Sequence, residues 1–149
     1  MKILVAVEDS KFCDAAANTL IVLVKANGTQ IKLLHVLDPF PVALAGQMGS
    51  KDGPDFVAAG LKLRDQAKEY LAQAAEKLRS AGFDTSYSFE EGDAREKILD
   101  YAERWAADLI MVAPHGRKGI SRFLMGSVSE TVARYAQCSV QILRTRSDH

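Results

Sequence analysis

The chain has 149 residues, with 19 lysines and arginines balanced by 19 aspartates and glutamates, and 48% of its residues are hydrophobic. Zero net charge argues against coating nucleic acid or an anionic membrane by bulk electrostatics, and two cysteines, Cys13 and Cys138, are too few for a disulfide scaffold or a four-cysteine zinc site. The longest apolar runs are five residues (Ile3–Val7, Leu20–Val24 and Leu109–Ala113), whereas a bilayer span needs roughly 20; no secretory leader is read at the start. The expectation is one soluble domain, 1–149, working in the cytoplasm.

Short apolar runs alternate with longer amphipathic stretches. Lys2–Glu8 reads as a buried strand, and Ser10 as the cap of a helix that continues to Asn27-Gly28. Gln30–Val36 is a second strand. From Asp38 to Asp55 the pattern breaks, with three prolines and three glycines. A long helix follows, carrying Ala67, Leu71, Ala74 and Leu78 on one stripe and stopping at Gly82. Asp84–Phe89 alternates like a partly exposed strand. Asp93 caps a helix holding Ile98, Leu99, Ala102 and Trp105, with Glu96 placed as in a capping box. Asp108–Ala113 is the fourth strand, a helix runs from Ser127 to Ala136, and Ser139–Arg144 is the fifth strand. Five strands alternating with four helices form a βαβ series, and right-handed crossovers make it a doubly wound α/β parallel sheet.

In such a sheet ligands bind beyond the carboxyl ends of the strands, where the strand order reverses. The segment after the fourth strand, Ala113 to Ser127, is the most informative of those ends. Gly116, Gly119 and Gly126 permit tight turns and close approach. Gly126-Ser127 opens a helix whose unpaired N–H groups favour a phosphate. Arg117, Lys118 and Arg122 are the only charged residues between Asp108 and Glu130. The plainer reading is that Ser127 with Glu130 is a capping box and the glycines merely turn a loop. No Gly-x4-Gly-Lys-Ser/Thr occurs, and no Gly-x-Gly-x-x-Gly follows the first strand, which excludes a P-loop NTPase and argues against a dinucleotide dehydrogenase.

At this loop the sequence resembles the universal stress protein family, whose ATP-binding members carry Gly-x2-Gly-x9-Gly-Ser/Thr between the fourth strand and the fourth helix. Gly116 and Gly126-Ser127 match the last two thirds of that pattern, while Ala113 stands in place of its first glycine. Ile3-Leu4-Val5-Ala6-Val7, Leu34-His35-Val36, Gly92-Asp93 and Asp108–Val112 carry the resemblance along nearly the whole chain. It implies an adenine-nucleotide alpha-hydrolase-like fold with strand order 3-2-1-4-5. It further implies that Ala6 and Val7 line the base pocket, that Glu8 lies near the ribose or base, and that backbone at Val36 meets adenine. Gly116, Gly126, Ser127, Val128 and Ser129 hold phosphates in the same scheme, with Ala113, His115 and Arg117 beside them. The expected ligand is ATP, with or without Mg2+, and AMP or cyclic AMP is the alternative. The family usually has Asp where Glu8 stands. Ala113 costs little if its φ is negative and strains the backbone if φ is above zero.

Catalysis needs a positioned water and a metal or general base. His115 is the one histidine near the phosphates, no two-carboxylate constellation is evident, and the chain reads as a binder or switch; slow ATP hydrolysis is compatible with these residues but nothing calls for it. Cys13 lies in the first turn of the first helix, where the dipole lowers a thiol's pKa, though a small packed residue is the plainer reading. Cys138 lies at the other end of the sheet, so no intramolecular disulfide is expected. His35 reads as a packed histidine and Trp105 as packing on the sheet. The Asp38–Asp55 loop begins at the ligand edge and is expected to border the adenosine site. Val140, Ile142 and Leu143 lie on an apolar edge strand, which together with the resemblance implies a homodimer through that strand. A family member that binds no nucleotide and works by protein association, with a partner the sequence does not name, is the second reading. The basic Gly116-Arg117-Lys118-Gly119 mimics a KH-type RNA loop, but that loop joins two helices and here a strand precedes it.

Overall fold

The computed structural model describes residues 1–37, 54–114 and 125–145. In chain order they form β1 (Lys2–Ala6), α1 (Ser10–Leu23), β2 (Gln30–Leu37), α2 (Pro54–Ser80), β3 (Asp84–Glu91), α3 (Ala94–Trp105), β4 (Leu109–Val112), α4 (Ser127–Tyr135) and β5 (Ser139–Ile142). The strands make one parallel sheet in the order β3-β2-β1-β4-β5. The expected α/β architecture is therefore observed.

Alternation along the central strands sends successive side chains to opposite faces. Ile3, Val5 and Val7 join Leu20, Leu71 and Leu78 under α1 and α2. Leu4 and Ala6 join Ile98, Ile110 and Val132 under α3 and α4. A near-continuous apolar strand is what a sheet covered on both faces requires. Trp105 packs against the second cluster, and Lys2 lies over its ring with Nζ 5.5 Å from the centroid.

Several element ends differ from the sequence expectation. β1 stops at Ala6, two residues early, because the chain turns there into α1. Asp9, rather than Ser10, caps α1: its carboxylate accepts the Phe12 N–H at 2.8 Å, and Ser10 is the first helical residue. α1 ends at Leu23, with Val24 extended (φ −119°), well before Asn27-Gly28. α2 begins at Pro54, whose fixed φ suits a first turn, so the helix takes in Asp55 from the expected break. Gly82 follows α2 with φ +97°, the left-handed geometry that ends a helix cheaply only for glycine. At the end of α3 the same job falls to Ala106, with φ 58° and ψ 50°. β5 covers only Ser139–Ile142.

Asp93 caps α3 as expected, through the Arg95 N–H at 2.8 Å, and is gripped by the Arg95 guanidinium at 2.7 Å. The side-chain hydrogen bond from Arg95 is the main reason its carboxyl is held down, from 3.8 to about 2.

Two stability predictions follow from these termini. Ala106→Gly removes a left-handed alanine and is expected to stabilise the fold by up to about 1 kcal/mol in urea unfolding at pH 7. Asp93→Ala is expected to cost about 1 kcal/mol at neutral pH. Because the Asp93 pKa is depressed on folding, that contribution is present above pH 4 and lost as pH falls through about 2. Unfolding midpoints of wild type and Asp93→Ala should therefore converge at the acid end of a pH series.

Candidate functional site

The strand order reverses between β1 and β4, because the chain builds outward from β1 to β3 and then crosses back to β4. Register places Val5 against Met111 and Ala6 against Leu34, so the carboxyl ends of β1, β2 and β4 lie side by side. This edge gathers Ala6, Val7, Glu8, Val36 and Ala113. The side chains of Ala6 and Val7 are buried, in the clusters on opposite faces of the sheet. What β1 presents at the edge is therefore chiefly backbone. Glu8 is half-buried, directly after Val7. Val36 is half-buried against the α3/α4 cluster.

The start of α4 is tied to the end of β4. The Gly126 N–H donates to Pro114 O at 2.8 Å. Ser129 Oγ lies 2.8 Å from Pro114 O and 3.0 Å from Gly126 O, and its side chain is buried. A phosphate role for the Ser129 hydroxyl is thereby corrected: its proton is engaged with main-chain carbonyls, and only its N–H faces the open first turn. Ser127 does not cap α4 either. The N-cap is Gly126, which has no side chain to receive an N–H, and the first bond inside the helix is Glu130 N–H to Gly126 O at 3.0 Å. Among the described residues no acceptor meets the N–H groups of Ser127, Val128 and Ser129, the first-turn donors at the helix's positive end. Ser127 itself is exposed and Val128 half-buried. The plainer reading of Ser127 with Glu130 as a capping box is thus not observed.

Ala113 packs its Cβ against the α1/α2 cluster. Ala106 is the only non-glycine with positive φ among the described residues, so Ala113 carries its Cβ without backbone strain. His115, Gly116 and Arg117 lie outside the described residues, as do Gly119, Lys118 and Arg122 and the Asp38–Gly53 part of the loop expected to border the adenosine site. A strand, β4, does precede the Gly116–Gly119 stretch, unlike the helix of a KH loop. Among the described residues no three His, Cys, Asp or Glu side chains cluster as a metal site, and no helix is long and apolar enough to cross a membrane.

The universal stress protein family model matches residues 1–144. The chain belongs to the universal stress protein family. Universal stress protein YxiE of Bacillus subtilis is 26% identical over 145 residues, covering 96% of this chain and 98% of its own. Hypothetical protein MJ0577 superposes with a TM-score of 0.80 at 24% identity, covering 98% of this chain and 97% of its own. Three further structures of this fold are described with nucleotides. They are an Arabidopsis thaliana family member with AMP bound (TM-score 0.65, 22% identity, 100% and 94% coverage), an Archaeoglobus fulgidus member in complex with dAMP (0.60, 21%, 97% and 98%) and a member in complex with cAMP (0.61, 19%, 97% and 96%).

In this family member Cys13 is the small packed residue of the plainer reading: it is buried, and desolvation, ahead of the nearby Asp14 and Asp9 charges, pushes its pKa up to about 12. Leu143 is one residue past β5 and buried in the α1/α2 core, so it is not part of the strand edge. A separate cavity of about 300 Å³, lined by Leu99, Ala107, Ile110, Ala136 and Cys138 among others, opens between the carboxyl ends of α3 and α4, away from the switch point. Sequence reasoning missed the inward role of Ser129. Its signal was position: the third residue of a helix that starts at Ser127 points back over the first turn.

Ser129→Ala should leave the carbonyls of Pro114 and Gly126 without this donor and cost about 1–2 kcal/mol in chemical denaturation. Iodoacetamide at pH 8 should alkylate Cys138 in the native protein while Cys13 reacts only after unfolding, as read by peptide mass.

Proposed function

We propose that this chain is a stress-response or signalling protein that binds an adenine nucleotide at the carboxyl edge of β1 and β4. The observation that carries the reading is the start of α4, an uncapped helix N-terminus set against the end of β4 at the topological switch point. Backbone N–H groups of Ser127, Val128 and Ser129 meet phosphate, with Gly126 allowing close approach and the exposed Ser127 hydroxyl adding a donor. Ala6, Val7, Glu8 and Val36 border the nucleoside, and Ala113, His115, Gly116 and Arg117 complete the phosphate side. ATP, with Mg2+ as the counterion of its phosphates, is the ligand the Gly116–Ser127 spacing favours. AMP or cyclic AMP is the second reading, favoured by the monophosphates bound in three proteins of this fold.

The nucleotide acts as a gate on a homodimer paired through β5, in the cytoplasm. Place and composition support the pairing: β5 is an outer strand of the sheet, and Val140 and Ile142 are half-buried on it.

Denaturing freshly purified protein and weighing the released small molecules identifies any resident nucleotide. Titration with ATP (with and without Mg2+), AMP and cyclic AMP should give saturable binding to at least one. Ser127→Ala is expected to weaken it about tenfold, the loss of one hydrogen bond to a charged group. Ala113→Gly is expected to change it less than about threefold, a fraction of the 1.4 kcal/mol that corresponds to tenfold, because Ala113 is unstrained. Unchanged affinity in both Ser127→Ala and Gly126→Ala would remove the phosphate site. A single monomer mass by light scattering, with and without nucleotide, would remove the dimer.

A further inference from the structure

His35 is buried (6% exposed) between Tyr70 and Phe89, with ring centroids 6.2 and 6.1 Å away. A ring in that place needs no nitrogen for packing, and an imidazole there loses water that must be replaced. The replacement is specific. His35 Nδ1 lies 2.8 Å from Val7 O. A carbonyl carries no hydrogen, so the proton is on Nδ1, and the ring donates.

The position of that acceptor matters. The β1–β2 ladder ends with the Val7 N–H donating to Leu34 O at 2.8 Å. Val7 O is the next acceptor along β1, and a side chain of β2 meets it where the strand's own ladder stops. Val7 O and the Glu8 N–H belong to one planar peptide unit. Holding the oxygen fixes the plane, and with it the direction in which Glu8 leaves the strand. Two residues further on, Asp9 caps α1.

We propose that His35 is a positioning residue for the nucleotide pocket: its Nδ1–H pins the Val7–Glu8 peptide and so sets where Glu8 stands at the carboxyl edge of β1. The proposal rests on the nucleotide reading given above. His35 touches no ligand itself; it acts through Val7 and Glu8.

Three variants test it. His35→Asn keeps a donor at the place of Nδ1, His35→Gln moves the donor one bond outward to the place of Nε2, and His35→Phe keeps a ring without a donor. Amide hydrogen exchange on the unliganded protein should show Glu8 and Asp9 exchanging about tenfold faster in His35→Phe and His35→Gln than in wild type. Leu4 and Ile110, in the core, should be unchanged, and His35→Asn should restore slow exchange at Glu8. AMP affinity should follow the same order, falling about tenfold in the Phe and Gln variants and recovering in Asn. A merely structural role would instead lower the thermal midpoint without sorting Asn from Gln. If Gln behaves as well as Asn, or if exchange at Glu8 is the same in all three, the pin is overturned. If exchange changes as expected while AMP affinity stays at the wild-type value, positioning for the nucleotide is overturned and the nucleotide reading stands. If wild type binds none of AMP, ATP and cyclic AMP, the proposed function fails and this proposal falls with it.

Discussion

Everything at the carboxyl edge depends on β1 being paired on both sides and covered on both faces. Ile3, Leu4 and Val5 are fully buried, and their backbone groups have no water to turn to. The strand therefore runs straight until its ladders end, at Val7 on the β2 side and Val5 against Met111 on the β4 side. There the sequence changes character at once, to Glu8-Asp9-Ser10. Polar residues gather at this edge because the hydrogen-bonding capacity of the sheet has run out. The same reasoning places Ala113 and Pro114 beyond β4.

The fold was legible because burial on two faces demands an apolar run, and the sequence has such runs in β1, β2 and β4 with amphipathic helices between them. The ends were less legible, and for identifiable reasons. Ser10 and Asp9 are both good caps, and only the tertiary turn out of β1 decides which one takes the Phe12 N–H. Leu143 looks like a strand residue by composition, yet β5 ends at Ile142 and Leu143 turns into the core on the α1/α2 side. Ala106 carried no signal at all, since alanine is an ordinary helix residue and nothing local requires φ 58° there. For the site, the grouping of Glu8, Val36, Ala113 and Gly126–Ser129 at one edge followed from strand order. Which atoms face outward did not, because the inward turn of the Ser129 hydroxyl depends on Pro114 O being 2.8 Å away.

The helix starts sharpen the chemical contrast. α1 and α3 each receive an aspartate, Asp9 and Asp93, whose carboxylate binds a first-turn N–H and neutralises the positive end of the helix. α4 receives Gly126 and no side chain. A carboxylate in that place would compete with an incoming phosphate for the same donors. Glycine leaves them open and brings no Cβ to the first turn. The neutrality of the whole chain is consistent with this arrangement: the attraction proposed for a nucleotide's phosphate would come from three backbone donors and a helix end, a local field that net charge does not reveal.

The buried polar side chains complete the argument. Among the described residues they are Thr29, His35, Thr85 and Ser129. Two serve the amino edge of the sheet, where Thr29 bonds Lys25 O in the turn before β2 and Thr85 bonds Phe83 O at the start of β3. The other two serve the carboxyl edge: His35 donates to the carbonyl that leaves β1, and Ser129 donates across to the carbonyls at the end of β4 and the start of α4. Burying such groups is costly unless their bonds are met, and every buried side-chain polar atom described has a partner. Two walls of one edge are therefore fixed from behind by hydrogen bonds that never reach the solvent. Backbone held this way is already in position for the proposed nucleotide, which would not have to spend its binding energy on ordering it.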